Sequence, residues 1–171
     1  DAIIRLEVSF RCTVPIMTLA HKVAGDPKKV EGRDGLAPIW QQTENYIDLI
    51  ETLVDWARGL LRAEPYKLIA LICRYPKQAM ELKEEMEAYL PGKVRLGHRD
   101  QFSFEPGILV TNIHQVKGLE FDSVALVEPD EENYPAKREE SRNMIYVGIT
   151  RTQEDLLLAT IRPFSSVLIG N

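Results

Sequence analysis

Three short segments combine side chains that could handle a charged ligand. The densest is Thr111-Asn112-Ile113-His114-Gln115-Val116-Lys117-Gly118-Leu119-Glu120-Phe121. It carries a hydroxyl, an amide, an imidazole, an ammonium, a glycine and a carboxylate, more chemistry than a simple turn needs. A solvated loop with a weak i,i+3 pair between Lys117 and Glu120 would account for the same residues. The second is Glu140–Thr152. There Arg142 and Tyr146 stand four apart on one helix face, and Thr150 and Arg151 end the helix. Arg151 could complement the helix dipole. It could equally reach an anion, because a planar, permanently charged guanidinium suits phosphate. The third is Ser9-Phe10-Arg11-Cys12-Thr13, an arginine at a strand end just before a helix.

The elements around these segments alternate. Leu6, Val8 and Phe10 read as a strand. A helix follows, with Thr13 as N-cap, Pro15 in its first turn, an apolar stripe of Ile16, Met17, Leu19, Ala20 and Val23, and Gly25 as its stop. A polar loop over 25–35 leads to a short strand over 36–40. Thr43 is the expected cap of a helix with Tyr46, Ile50, Leu53, Ala57 and Leu60 at helical spacing. The run 68–73 is continuously apolar, as in a strand covered on both faces. A helix over 76–89 is ended by Pro91-Gly92. Strands are predicted over 94–96, 108–110, 124–127 and 156–160, with a helix over 138–149 before the last. Such alternation predicts an α/β domain with a mostly parallel sheet and helices on both faces. Ligand chemistry is expected beyond the carboxyl ends of its strands, in the loops 9–13, 74–77 and 111–120.

Composition narrows the classes. The chain has 171 residues, 44% hydrophobic and 27% charged, which suits a single globular domain over 1–171. The net charge of −5 argues against coating duplex DNA by bulk electrostatics, though it permits a local basic groove. No apolar run is long enough to span a bilayer, so no membrane partner is expected. Cys12 and Cys73 are isolated and read as reduced thiols of a cytoplasmic protein. His21, His98 and His114 have no zinc-type spacing, so no structural metal is expected. The chain opens at Asp1 without a Met or a leader, which predicts a piece of a longer, leaderless protein.

Taken in order, the three segments resemble motifs IV, V and VI of the UvrD/Rep/PcrA-like superfamily 1A helicases. Ser9-Phe10-Arg11-Cys12-Thr13 is similar to S-Y-R-S-T. Residues 113–121 are similar to T-x-H-x-x-K-G-L-E-F, and Tyr146-Val147-Gly148-Ile149-Thr150-Arg151-Thr152 to Y-V-x-x-T-R-A. Leu71-Ile72-Cys73-Arg74 resembles the weaker segment IVa. The resemblance covers nearly the whole chain and implies a RecA-like domain, the second motor domain, called 2A. The phosphate loop G-x-x-x-x-G-K-[ST] and the D-E-x-Q segment of the first motor domain do not occur here. The chain therefore resembles half a motor, inactive alone.

The resemblance implies roles for particular residues. Arg11 and Arg151 would reach the γ-phosphate of ATP across a cleft, completing a site whose Mg²⁺ is held by an N-terminal RecA-like domain. Gly118 would permit close backbone approach, and Glu120 would accept hydrogen bonds from the nucleotide sugar. Asn112 and His114 would face single-stranded DNA, and Arg74 would hold one of its phosphates. Three departures stand out. Asn112 replaces the usual Thr, Asn143 replaces a second Arg after Arg142, and the stretch 89–108 is too short for the accessory domain 2B. The implied activity is ATP-dependent DNA unwinding or translocation. The same motifs occur in HelD-like factors that act on RNA polymerase, so RNA polymerase is an alternative partner to a repair factor.

Overall fold

The computed structural model describes residues 8–9, 11–26, 29–98 and 102–170. In chain order the elements are β1 (Val8–Ser9), α1 (Val14–Ala24), β2 (Glu31–Gly32), β3 (Ile39–Gln42), α2 (Tyr46–Ala63), β4 (Leu68–Cys73) and α3 (Pro76–Tyr89). Then come β5 (Val94–Leu96), β6 (Gly107–Asn112), β7 (Phe121–Val127), α4 (Glu139–Ile149), β8 (Thr152–Thr160) and α5 (Ser166–Ile169).

The continuously apolar β4 is the centre of the fold because neither of its faces meets water. Leu68, Ala70 and Ile72 enter one core with α1, α4 and α5. Ile69, Leu71 and Cys73 enter a second core with α2 and α3. Strands β6, β7 and β8 divide their side chains in the same alternating way, as a pleat with period two requires. Six strands form one sheet in the order β3-β8-β7-β4-β6-β5, and every pairing in it is parallel. Helices therefore cover both faces.

Most expected elements stand where expected, and the exceptions have physical causes. The expected strand at 36–40 begins at Ile39, after Pro38, which has no N–H to donate to a ladder, and ends at Gln42. The α2 cap is Asn45 rather than Thr43, because the Asn45 side chain accepts from Asp48 N at 3.0 Å. Leu6 and Phe10 lie outside the described residues. Val8–Ser9 do not join the main sheet; they pair in parallel with Glu31–Gly32 as a separate two-stranded ribbon. Leu71, Val110 and Leu126 are fully buried, whereas Val147, expected in the core, is only partly buried.

The amino ends of β4 and β8 are held together by a buried cation. Lys67 Nζ lies 2.6 Å from Asp155 Oδ2, 2.9 Å from Glu64 Oε1 and 3.0 Å from Glu154 Oε2. Burial opposes its charge, but hydrogen bonds to these carboxylates outweigh that and raise its pKa above the usual lysine range.

Candidate functional site

The segment following β6 decides where the chemistry lies. β6 and β7 run in the same direction on either side of β4. The connection over 113–120 must therefore travel from the carboxyl end of β6 back to the amino end of β7. Ile113 and Val116 anchor it in the core that α1 and α4 share. His114 is thus at the carboxyl end of the sheet and Glu120 at the amino end. The expectation that all three loops lie beyond carboxyl ends is corrected accordingly, since parallel strands put the two ends of this loop at opposite edges.

At the amino end, Arg11, Glu120 and Arg151 come together. Arg11 Nη2 forms an ion pair with Glu120 Oε1, and both side chains are partly exposed, at 50% and 35%. The other carboxylate oxygen of Glu120 accepts from Gln153 Nε2 at 3.3 Å. Arg151 precedes β8, and its carbonyl accepts from Phe121 N at 2.9 Å, which places it beside Glu120. Its side chain is less exposed than expected, because it is folded onto the chain. Nε donates to Val147 O at 3.2 Å, Nη1 to Leu119 O at 3.1 Å, and Nη2 to Thr150 Oγ1 at 3.3 Å. That uses three of the five donors of a guanidinium. Burial and the nearby Arg11 charge press the Arg151 pKa below the usual arginine range, against the pull of Glu120. Two cations facing one carboxylate leave positive charge in excess.

Two glycines make this geometry accessible, for different reasons. Gly118 has φ 84°, and a Cβ there would meet nothing within 4 Å, so the backbone turns sharply beside open space. A Cβ on Gly148 would stand 2.6 Å from Leu126 Cδ2, so the missing side chain lets α4 settle onto β7 and carry Arg151 to the site. Arg142 serves the packing of the helices. Its Nη1 donates to Val23 O at 2.7 Å, joining α4 to the last turn of α1.

The sequence pattern does not reveal Arg33 and Gln153. Arg33 Nη2 donates to Gln153 O at 2.6 Å, Nη1 lies 3.3 Å from Glu154, and Arg33 O accepts from Val14 N at the start of α1. Arg33 thus fixes the backbone of the residue that holds Glu120. Nothing local in the sequence signals a contact between residues 120 apart.

At the carboxyl end a second group assembles. Arg74 is buried, and its Nη1 lies 2.7 Å from His114 Nε2. A guanidinium only donates, so His114 Nε2 is the acceptor in this contact. Asn112 is buried beneath them, and its Oδ1 accepts from His114 N at 3.1 Å. It shapes the turn that presents His114 and does not itself reach the surface. His114 and Lys117 border a groove of about 250 Å³ whose other walls include Ile113, Met144 and Val147. That role explains the partial burial of Val147.

Residues 93–163 match the family model of the UvrD-like helicase C-terminal domain. That stretch is less than half of the chain, and over it the chain is similar to that family. The matched stretch contains Glu120 and Arg151 but not Arg11, which the fold itself delivers. The chain is similar to the C-terminal domain of a possible DNA helicase from Lactobacillus plantarum WCFS1. That similarity is 25% in sequence and 0.78 in TM-score, over 94% of this chain and 92% of that one. The C-terminal domain of the DEAD-box protein Dbp5 shares the fold at 15% identity and TM-score 0.51, over 80% and 81% of the two chains. The Sulfolobus solfataricus SWI2/SNF2 ATPase core in complex with dsDNA shares it at 10% and 0.57, over 95% of this chain and 35% of that one. No curated protein matches at a significant level. The domain is α/β with a parallel sheet, as the strand pattern predicted, and RecA-like, as the resemblance implied. Among the described residues no helix is long and apolar enough to cross a membrane, and no group of three acidic, His or Cys side chains could hold a metal ion.

Proposed function

We propose that this domain is the second half of an ATP-driven DNA motor. The observation that carries the reading is the meeting of Arg11, Glu120 and Arg151 at one end of the sheet, joined by a single short crossing to Arg74 and His114 at the other. The nucleotide is ATP with Mg²⁺, and the metal ligands belong to an N-terminal RecA-like domain. The donor set here fits the outer side of such a site: two guanidiniums, one carboxylate and an open glycine turn. When bound, the nucleotide supplies a terminal phosphoryl group whose transfer spreads negative charge over its oxygens.

Arg11 and Arg151 stabilise that charge from across the cleft. The Arg11–Glu120 pair is half in solvent and contributes at most about 1 kcal/mol, so a phosphate displaces Glu120 easily. Glu120, held by Gln153, is then free to accept from the sugar hydroxyls. Arg151 still has donors to offer an anion while anchored to Leu119 and Val147. At the other end Arg74 and His114 grip single-stranded DNA, with Asn112 setting the turn. The crossing over 113–120 gives the motor its coupling, because a shift at Glu120 pulls on His114 through a short, anchored segment.

The isolated chain is expected to show no steady-state ATP turnover, and the protein assembled with its N-terminal motor domain to show turnover stimulated by single-stranded DNA. A malachite-green phosphate assay checks both. Turnover by the purified chain alone that survives a contamination control would refute the half-motor reading.

A further inference from the structure

One exposed ring at the carboxyl end is not used by the reading above. Tyr75 follows Arg74 directly, between β4 and α3, and is 43% exposed. The Arg74 guanidinium carbon lies 4.6 Å from the centroid of its ring. Arg74 is itself fixed, with His114 Nε2 at 2.7 Å and the Tyr134 ring centroid at 5.8 Å. The Tyr75 backbone is pinned as well. Its N–H donates to Gln78 Oε1 at 3.0 Å, and Gln78 Nε2 donates to Asn133 Oδ1 at 2.9 Å. Asn133 in turn donates to Asp130 Oδ1 at 3.1 Å and Glu128 O at 3.2 Å.

Partly exposed rings are ordinary at a protein surface, and Tyr46 and Tyr89 are exposed to a similar extent; what sets Tyr75 apart is its contact with a fixed cation. Its ring is held at the surface by its backbone and braced by that cation, so presenting it to a ligand costs little further ordering. It stands next to an arginine and an exposed histidine, the pairing of cation and aromatic that single strands use, since every base has a π-face to stack. Glu140 lies 3.9 Å from Arg74, but its side chain is 61% exposed and can swing clear of an incoming phosphate.

We propose that Tyr75 is a stacking platform for one base of single-stranded DNA, the neighbouring phosphate being held by Arg74. The proposal rests on the reading that this end of the sheet meets a single strand. The deciding experiment measures binding of dye-labelled oligo-dT by the motor assembled with its N-terminal domain, beside an abasic oligomer of equal length. Tyr75→Ala is expected to weaken oligo-dT binding about tenfold, to leave abasic binding unchanged and to keep the salt slope. Tyr75→Phe and Tyr75→Trp are expected to retain wild-type affinity, which separates stacking from misfolding. Arg74→Gln is expected to weaken both oligomers and to lower the salt slope by about one. Equal oligo-dT affinity of Tyr75→Ala and wild type, with Arg74→Gln still weakened, would overturn the platform and leave the strand reading intact. Tyr75→Phe as weak as Tyr75→Ala would overturn stacking in favour of the hydroxyl. No binding of either oligomer by wild type would overturn the platform and the strand reading together.

Discussion

The two ends of the sheet hold arginine in opposite ways. At the amino end, Arg11 is half exposed and rests on a carboxylate that a phosphate can displace. At the carboxyl end, Arg74 is buried and braced by His114, Tyr75 and Tyr134. A group that must meet an incoming phosphate benefits from a solvent-exposed partner that the phosphate can displace. A group that must hold a uniform polyanion while the strand slides benefits from rigidity. The contrast teaches that the same side chain is tuned by its second contacts rather than by its own chemistry. Arg151 lies between these extremes, anchored on backbone carbonyls with part of its fork unspent.

If the two ends are chemically separate, damage to one should spare the ligand of the other. Glu120→Gln is expected to raise KM for ATP about tenfold, the scale of a lost charged hydrogen bond, while changing the Kd for single-stranded DNA by less than about threefold. Arg74→Gln should show the reverse. A steady-state ATPase titration and a fluorescence anisotropy titration measure the pair, and a shared tenfold loss of both ligands in either variant would merge the two ends into one site.

The crossing that joins them can be probed more gently. Gly118→Ala places a side chain at φ 84° without a clash, so its expected cost is about 1–2 kcal/mol of stability from left-handed strain alone. Thermal melting should show that modest loss; an unchanged melting temperature would mean that the segment readily takes another path.

The smallest effect concerns the two thiols. Burial raises the Cys12 thiol pKa, with Arg11 and Arg151 pulling the other way, and burial raises Cys73 more strongly. Raised pKa values keep both protonated at pH 8, and a protonated thiol attacks poorly. Titration of the folded chain with a disulfide reagent at pH 8 should be slow at both, with Cys12 the first to react. Fast stoichiometric reaction of Cys73 would show that the carboxyl end opens more readily than its packing implies.

Much of this arrangement is legible in the amino-acid sequence. The apolar run of β4, the Pro76 start of α3 and the Gly25 stop of α1 each follow from local chemistry, so their bounds stand as expected. The four residues of α5 are too few to show a period. The direction of the loop 111–120 is not legible, because a sequence does not say that its two ends serve opposite edges of a parallel sheet. Arg33 and Gln153 are invisible for a related reason: their contact depends on β8 and the polar loop meeting in space. The resemblance implies that Asn112 faces single-stranded DNA, yet with its neighbours Thr111 and Ile113 it is buried at the end of β6.

The central claim is that the amino end of the sheet acts on charge that exists only during phosphoryl transfer. The direct measurement is Arg151→Ala in the motor assembled with its N-terminal domain, with DNA-stimulated turnover, ATP affinity and melting followed on one preparation. The account predicts a fall of about a hundredfold or more in kcat, ATP affinity within a few-fold of wild type, and a melting temperature lowered only by the loss of the bonds to Val147 and Leu119. Arg151→Lys should restore little of the turnover, because an ammonium cannot reproduce the planar fork. Wild-type turnover in Arg151→Ala, with or without a change in melting, would contradict the account and leave Arg151 as an anchor for the end of α4.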